Sequence, residues 1–213
     1  YYGEPAHLDK VTYKIYEDNT ALFTALDSGS LDLVAHLSVD QVNNLSNGYT
    51  VLEGTMNLVQ ALYLNNDVKP FDNEKVRQAM CYAVNVDEIL DLTSEGHGTK
   101  IGTSIYPAFT KYFDASLADA YPYDVDKAKQ LLADAGDADG FSMSITVPSN
   151  YTPHMNVAQV LVEQLAKVGI TATIKPVEWE TWVSDTYTNR NFESTVIGFD
   201  AATLSAGALL NRW

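Results

Sequence analysis

Residues 141–199 read FSMSITVPSNYTPHMNVAQVLVEQLAKVGITATIKPVEWETWVSDTYTNRNFESTVIGF. Three short apolar runs, at 141–147, 170–177 and 192–199, alternate with two segments of helical spacing. In 152–169, Val157, Val160, Leu161, Leu165 and Val168 recur on one side and Gly169 ends the repeat, which predicts a helix. A second helix is predicted over 179–189. Strand, helix, strand, helix, strand is the pattern of a sheet flanked by helices. In open α/β sheets ligands collect outside the carboxyl ends of the strands. The loop PSNYT at 148–152 and the stretch GFDAATLSAG at 198–207 are therefore candidates for the walls of one crevice.

The pattern continues upstream. In DVDKAKQLLADAG, 124–136, Asp124 caps a helix, Ala128, Leu131, Leu132 and Ala135 face inward, and Gly136 stops it. After Pro70, Asp72 or Asn73 caps a helix whose inner face is Val76, Met80 and Ala83 or Val84. VNVDEILDLTSEG, 84–96, is a further short helix. Residues 96–123, rich in Gly, Pro, Thr and Tyr, form a long irregular segment, a kind of segment that often carries function. At the start, KVTYKIYE, 10–17, alternates Val11, Tyr13 and Ile15 with polar neighbours and predicts a half-buried strand. DNTALFTALDSG, 18–29, is a helix capped by Asp18 or Asn19, with Leu22, Ala25 and Leu26 inward. SLDLVAHL, 30–37, returns as a strand, so 10–37 read as one β-α-β unit. Ser38 caps a short helix, and 50–67 form a long apolar extended stretch.

Composition narrows the function. The chain has 213 residues, room for one large or two small domains, and a net charge of −15 from 13 basic and 28 acidic residues. Such a surface repels phosphate backbones and anionic lipid, which argues against nucleic acid and membrane surfaces as partners. The single cysteine, Cys81 in VRQAMCYAV, is expected in the core and rules out a disulfide within the chain. The longest apolar runs fall far short of the roughly 20 residues of a membrane helix. There is no initiator Met, signal peptide or lipidation motif, and a fragment of a longer protein is expected.

Catalytic motifs fail on spacing. GHGTKIG, 96–102, is one residue too long for a dinucleotide fingerprint, and Pro107 follows where a helix should run. In DAGDADG, 134–140, a calcium loop turning at Gly140 would place Ala135 and Thr146 at its carboxylate positions. No two of the four histidines stand at helical ligand spacing. Around Ser205 the sequence is TLSAG, not a nucleophile elbow. No catalytic residue, metal or cofactor is expected, and the chain does not read as an enzyme. The positive signal is aromatic. Among thirteen Tyr and three Trp, Tyr63, Tyr106, Tyr112, Tyr121, Tyr123, Tyr151, Trp179 and Trp182 fall in expected loops or at element ends. Such side chains wall sites for extended polar ligands, offering apolar area plus a donor.

Four stretches occur in a familiar order: 8–34 (LDKVTYKIYEDNTALFTALDSGSLDLV), 61–90 (ALYLNNDVKPFDNEKVRQAMCYAVNVDEIL), 121–136 (YPYDVDKAKQLLADAG) and 161–182 (LVEQLAKVGITATIKPVEWETW). Together they resemble the family 5 extracellular solute-binding proteins, the oligopeptide, dipeptide and nickel binders of ABC importers. The resemblance implies an α/β fragment of a periplasmic-binding-protein-like (type II, two-lobed) fold, a mixed sheet flanked by helices. It implies that residues 1–66 are part of the first lobe and the strand crossing between lobes, and that 67–213 are the second, ligand-binding lobe. The implied function is capture of peptides or peptide-like solutes outside the cell and delivery to an ABC permease. The alternative is an oligosaccharide, a metal chelate or another solute without a free amino group. A monomer is implied, in the periplasm or at the cell surface, anchored through a lipidated N-terminus upstream, with no membrane insertion by this segment.

The ligand-binding residues expected are Tyr63, Asn65, Asn150, Tyr151, Phe199, Asp200, Ala202 and Ser205. In peptide-binding members the strand equivalent to 194–199 ends in a pattern like Gly-Trp-x-x-Asp, whose Asp pairs with the free amino group of the peptide. Here Gly198 and Phe199 occupy the Gly-Trp positions and Ala202 the Asp position. Either Asp200, two residues early, has taken over the anchor, or the cargo has no amino group to hold.

Overall fold

The computed structural model describes residues 3–46, 48–200 and 205–212. They form two compact units, Tyr1–Glu53 and Gly54–Trp213.

The first unit is built on α1 (Asn19–Asp27) and α2 (Val39–Asn43). Asp18 is the α1 cap, its carboxylate accepting from the Ala21 N–H at 2.7 Å. Ser38 and Gln41 form a reciprocal capping box on α2. The Asp27 carboxylate accepts from the Ser46 N–H, and the Tyr49 hydroxyl donates to the Leu26 carbonyl. The β-α-β unit expected over 10–37 is not formed: no strand occurs among the described residues of this unit. Val11, Tyr13 and Ile15 are 58%, 89% and 95% exposed. Alternation makes a segment competent to be a strand, but only a paired neighbour holds it as one.

The second unit carries a four-stranded mixed sheet in the order β1-β4-β2-β3. Its strands are β1 (Leu58–Leu64), β2 (Ser142–Pro148), β3 (Thr171–Val177) and β4 (Ser194–Asp200). β1 runs antiparallel to β4 along its full length, from Leu58 opposite Asp200 to Leu64 opposite Ser194. β2 and β3 are parallel throughout. β2 and β4 are also parallel but pair only at Ile145–Ser194 and Thr146–Thr195. Side chains lengthen that seam: the Ser194 hydroxyl donates to the Ser144 carbonyl at 2.8 Å and the Thr195 hydroxyl to the Thr146 carbonyl at 2.7 Å. The Glu193 carboxylate accepts from both the N–H and the hydroxyl of Ser144, and these bonds hold its pKa below the usual carboxylate value.

The period of two along each strand separates two cores. On one face Leu62, Leu64, Met143, Ile145, Val147, Ala172 and Val196 meet the helices. Those helices are α3 (Glu74–Ala83), α4 (Val86–Ser94), α5 (Val125–Ala135) and α6 (Thr152–Ala166). The capping residues are Asn73 for α3 and Asp124 for α5. α4 docks on α6 through the buried Gln164, whose amide accepts from the Asn85 N–H and donates to the Asn85 carbonyl and the Glu88 carboxylate. Cys81 is exposed, against the expectation of a core thiol. The buried stripe of α3 is Val76, Ala79, Met80 and Ala83, and helical spacing turns position 81 off that face. On the other face Val59, Ala61, Tyr63, Ile197 and Phe199 pack against Trp182 and against Ile105, Tyr106 and Phe109 of the irregular 96–123 segment.

The helix expected over 179–189 is one turn, α7 (Trp179–Thr181), followed by a π-helix, Trp182–Thr188. A short helix, α8 (Ala206–Leu210), follows β4.

Two helices of the unit end the same way. Gly136 and Gly169 take positive φ of 95° and 87°, and the N–H groups of Asp137 and Ile170 reach back to Leu132 and Leu165. The turn into β2 then presses on the turn into β3. A Cβ on Gly140, at φ 76°, would lie 1.9 Å from the Gly169 carbonyl oxygen, whereas a Cβ on Gly136 meets nothing within 4 Å. Both glycines carry the positive-φ cost, so Gly136→Ala should destabilise by about 1 kcal/mol and Gly140→Ala by about 2 kcal/mol or more. Urea unfolding midpoints of the two variants measure the difference; equal losses would mean that the close approach is absent.

Candidate functional site

Because β2, β3 and β4 are parallel, their carboxyl ends at Pro148, Val177 and Asp200 share one edge of the sheet, beside the start of β1. A row of rings runs from this edge onto one face of the sheet. Tyr151, just ahead of α6, stacks on His154 with centroids 5.4 Å apart and tilts against Trp179 at 5.3 Å. Trp179 lies parallel to Trp182 at 5.4 Å and 7°. Trp182 stacks on Tyr187 at 5.9 Å, Tyr187 meets Phe199 at 6.0 Å, and Phe199 meets Tyr63 edge-on at 5.3 Å. Tyr151 and Trp179 are 38% and 36% exposed, while Trp182 and Phe199 are buried. The outer rings thus present open faces and the inner ones anchor them.

The π-helix makes this row continuous. In an α-helix residues five apart point about 140° away from one another. The wider turn brings Trp182 and Tyr187 onto the same side, and is closed by the Asn189 N–H donating to the Ser184 carbonyl. Trp182 is fixed from below: its indole N–H donates to the Thr195 hydroxyl at 3.0 Å, at the seam of β2 and β4.

His154 closes one end. Its Nδ1 lies 2.7 Å from the Gln60 side-chain amide of β1, and the Gly198 N–H of β4 points to its Nε2 at 3.3 Å. A neutral imidazole offers one lone-pair nitrogen to these donors and an imidazolium offers none. Burial pushes the pKa of His154 down to about 4. The other end is a charged corner. Asp200, exposed, pairs with Arg212 at 3.5 Å, and the guanidinium lies over the Phe199 ring at 5.4 Å. The Tyr106 hydroxyl donates to the Phe199 carbonyl at 3.4 Å. Burial, with Tyr106 adding to it, pushes the Tyr63 phenol up to about 12.

The structure brings Tyr151, Phe199 and Asp200 of the expected site residues to this edge, and Asn150 lies exposed in the turn before α6; Tyr63, opposite Thr195 near the other end of β4, meets the row only through the Phe199 ring. Ser205 caps α8, its hydroxyl oxygen accepting from the Ala208 N–H. Ala202 lies outside the described residues. Asn65 is at the opposite end of the sheet, its amide donating to the Arg190 and Phe192 carbonyls. Of the aromatic residues singled out, Tyr112, Tyr121 and Tyr123 also lie elsewhere: Tyr112 is near Lys111, Tyr121 packs on Tyr82, and Tyr123 lies beneath Lys167. Sequence reasoning missed His154 as a site residue, together with Gln60, Tyr187 and Arg212. Gln60 and His154 are 94 positions apart, and no local spacing links them.

Residues 1–213 match the family model for bacterial extracellular solute-binding proteins, family 5 Middle. The chain belongs to this family. It is 33% identical over 179 residues to heme-binding protein A of Haemophilus influenzae, covering 81% of this chain and 32% of that protein. The chain thus spans about a third of the length of the curated relatives it matches. Among solved structures it resembles AgaA, a periplasmic binding protein from A. tumefaciens R10 in complex with agropinic acid. The TM-score is 0.81, with 28% identity over 92% of this chain and 40% of that one. It also resembles DppA from Helicobacter pylori in complex with the peptide STSA, with a TM-score of 0.78 and 28% identity over 100% of this chain and 41% of that one. The mixed sheet flanked by helices is the family's α/β architecture, and these relatives are named as binding proteins. No helix among the described residues is long and apolar enough to cross a membrane.

The depressed pKa of His154 fixes a sign. The unfolded chain takes up a proton near 6.5, while the folded protein resists until about 4. The stabilisation from the neutral ring is complete above 6.5 and is lost progressively as pH falls toward 4, by about 3 kcal/mol in all. His154→Gln should be less stable at pH 7.5 and lose less between pH 7.5 and 4.5. Urea unfolding of both proteins at the two pH values checks this; parallel losses would show that His154 titrates normally.

Proposed function

We propose that this chain is part of the substrate-binding component of an ABC importer, which captures peptides or peptide-like solutes outside the cell and delivers them to the permease. The observation that carries the reading is the row of rings on the carboxyl edge of the sheet, half-exposed at Tyr151 and Trp179 and anchored through Trp182 to Thr195. Planar rings grip an extended ligand of varied side chains with little demand on its sequence. The DppA complex holds a peptide, which supports a peptide for this chain. In this reading residues 67–213 are most of the second lobe and 1–66 part of the first, with the strand that crosses between them. The exposed alternation at Val11, Tyr13 and Ile15 is then covered by further first-lobe strands. The whole protein closes on its ligand as a shift between open and closed populations. It acts as a monomer, without a cofactor or catalysis, in the periplasm or at the cell surface and lipid-anchored.

A second reading keeps the fold and exchanges the cargo for a solute without a free amino group. The pairing of Asp200 with Arg212 favours it, and relatives named for heme and agropinic acid show how far cargo varies in the family.

The intact protein carrying this segment should be stabilised by peptide pools in a thermal-shift screen, since a ligand that binds only the folded state raises the midpoint. Trp179→Ala should weaken the binding by about tenfold, the worth of one stacked aromatic contact. A shift with sugars and none with peptides would dismiss the peptide class. Unaltered affinity in the Trp179 variant would move the site away from this edge.

A further inference from the structure

We infer that the groove between the π-helix and strands β2 and β3 is a second binding site, for a small zwitterion the size of a free amino acid. Lys175 would take its carboxylate, Asp185 its ammonium group, and the hydroxyls of Thr146 and Thr186 its remaining polar edge. None of the rings of the row lines this groove, so the inference does not depend on the reading of that row.

In β2, Met143, Ile145 and Val147 face the helices, and Ser144 and Thr146 face the other way. A strand with neighbours on both sides and a layer on each face is usually apolar on both. Here the second face is polar and floors a groove of about 430 Å³, a volume in the range of small-molecule sites. Register sets the floor: Thr195, Thr146 and Lys175 stand side by side across β4, β2 and β3. Thr181, Asp185 and Thr186 line the helix side, and Arg190 and Glu193 line the part near the start of β4.

Two observations point to a ligand. The first is the pair of hydroxyls. Thr146 and Thr186 are 7% and 2% exposed, yet neither hydroxyl makes a hydrogen bond among the described residues. No fully enclosed side-chain polar atom among the described residues lacks a partner, so these two open into the groove that they line. Hydroxyls this deep call for a partner. The second is the charge left over. The Glu193 carboxylate is spent on the N–H and hydroxyl of Ser144. The Arg190 guanidinium donates to the Arg212 carbonyl at 2.6 Å and lies over the Tyr187 ring at 5.2 Å. Lys175 makes no hydrogen bond and no ion pair among the described residues. The Asp185 carboxylate has one long bond, from the Ser184 hydroxyl at 3.4 Å. One cation is therefore available on the sheet side and one anion on the helix side. The net charge of −15 repels a net anion. A zwitterion carries no net charge and meets both groups, and the hydroxyls donate to its carboxylate.

The test uses the intact protein and two probes, single L-amino acids and their N-acetyl amides, which carry neither backbone charge, compared by calorimetry and thermal shift. At least one amino acid should bind and raise the unfolding midpoint, and its N-acetyl amide should bind at least tenfold more weakly. Lys175→Ala, Asp185→Asn and Thr146→Val should each weaken the binding by about tenfold, and Thr146→Ser should keep it. Without ligand, Thr146→Val should leave the midpoint unchanged or raised, because its hydroxyl has no bond to lose. A lower midpoint with unchanged affinity would overturn the role given to Thr146. If the Val variant does not fold, Lys175→Ala and Asp185→Asn decide, both at exposed positions. Trp179→Ala, which tests the row of rings, should leave amino-acid binding unchanged. A loss there with none in the Lys175 variant would put the amino acid on the rings and overturn the proposal. No binding by any amino acid, equal binding of the N-acetyl amides, or unaltered affinity in both the Lys175 and Asp185 variants overturns it as well.

Discussion

The narrow seam between β2 and β4 is the contact on which the second unit depends. The sheet is two well-paired halves, β1 with β4 and β2 with β3, and backbone pairing joins them at only two positions. Hydroxyl and carboxylate side chains complete the join: Ser194 and Thr195 reach across to carbonyls of β2, and Glu193 receives Ser144. Ser194 and Thr195 are fully buried. A buried hydroxyl without a partner costs more than its hydrogen bond returns, so each must be satisfied at one spacing of the two strands. The seam thereby sets the offset between the halves. It also fixes the row of rings, because the same Thr195 hydroxyl that donates to Thr146 accepts the indole of Trp182. Strand spacing and the position of the central ring are set by one oxygen.

Much of this unit was legible in the sequence because its signals are local. The stripe Val157, Leu161, Leu165 and Val168 closes one face of a helix that covers the sheet, and all four are buried. The glycine stops at 136 and 169 and the caps at Asn73 and Asp124 are decided within a few residues. The rule that ligands gather at the carboxyl ends of strands points to Tyr151, Phe199 and Asp200 from the sequence alone. Aromatic residues at element ends pointed to Trp179 and Trp182 as well.

What was not legible depends on partners distant in the chain. Gln60, His154 and Gly198 meet only after three elements have folded together. Asn65 has the composition of a ligand-binding residue, but the amide is used on the backbone of 190–192 at the far end of the sheet. The π-helix is not legible because a period of 3.6 reads 179–189 as an ordinary helix, and one widened turn moves Tyr187 to the side of Trp182. The alternation at 10–17 shows the opposite limit. It records a preference for pairing, and the described residues of the first unit offer no strand to pair with.

β4 shows how one strand serves both purposes. Its even positions face the helices and its odd positions face the rings, so Val196 belongs to one core while Ile197 and Phe199 belong to the other. Gly198 interrupts the helix-facing series where Leu58 of β1 fills the space: a Cβ there would lie 2.6 Å from the Leu58 side chain. The missing side chain lets Leu58 close over the strand and leaves the Gly198 N–H open toward His154. The next residue on that face, Asp200, lies past the packed region and is exposed, so its charge is governed by what comes back to meet it, which is Arg212. Packing sets the strand up to residue 199, and at Asp200 the contact that remains is an ion pair.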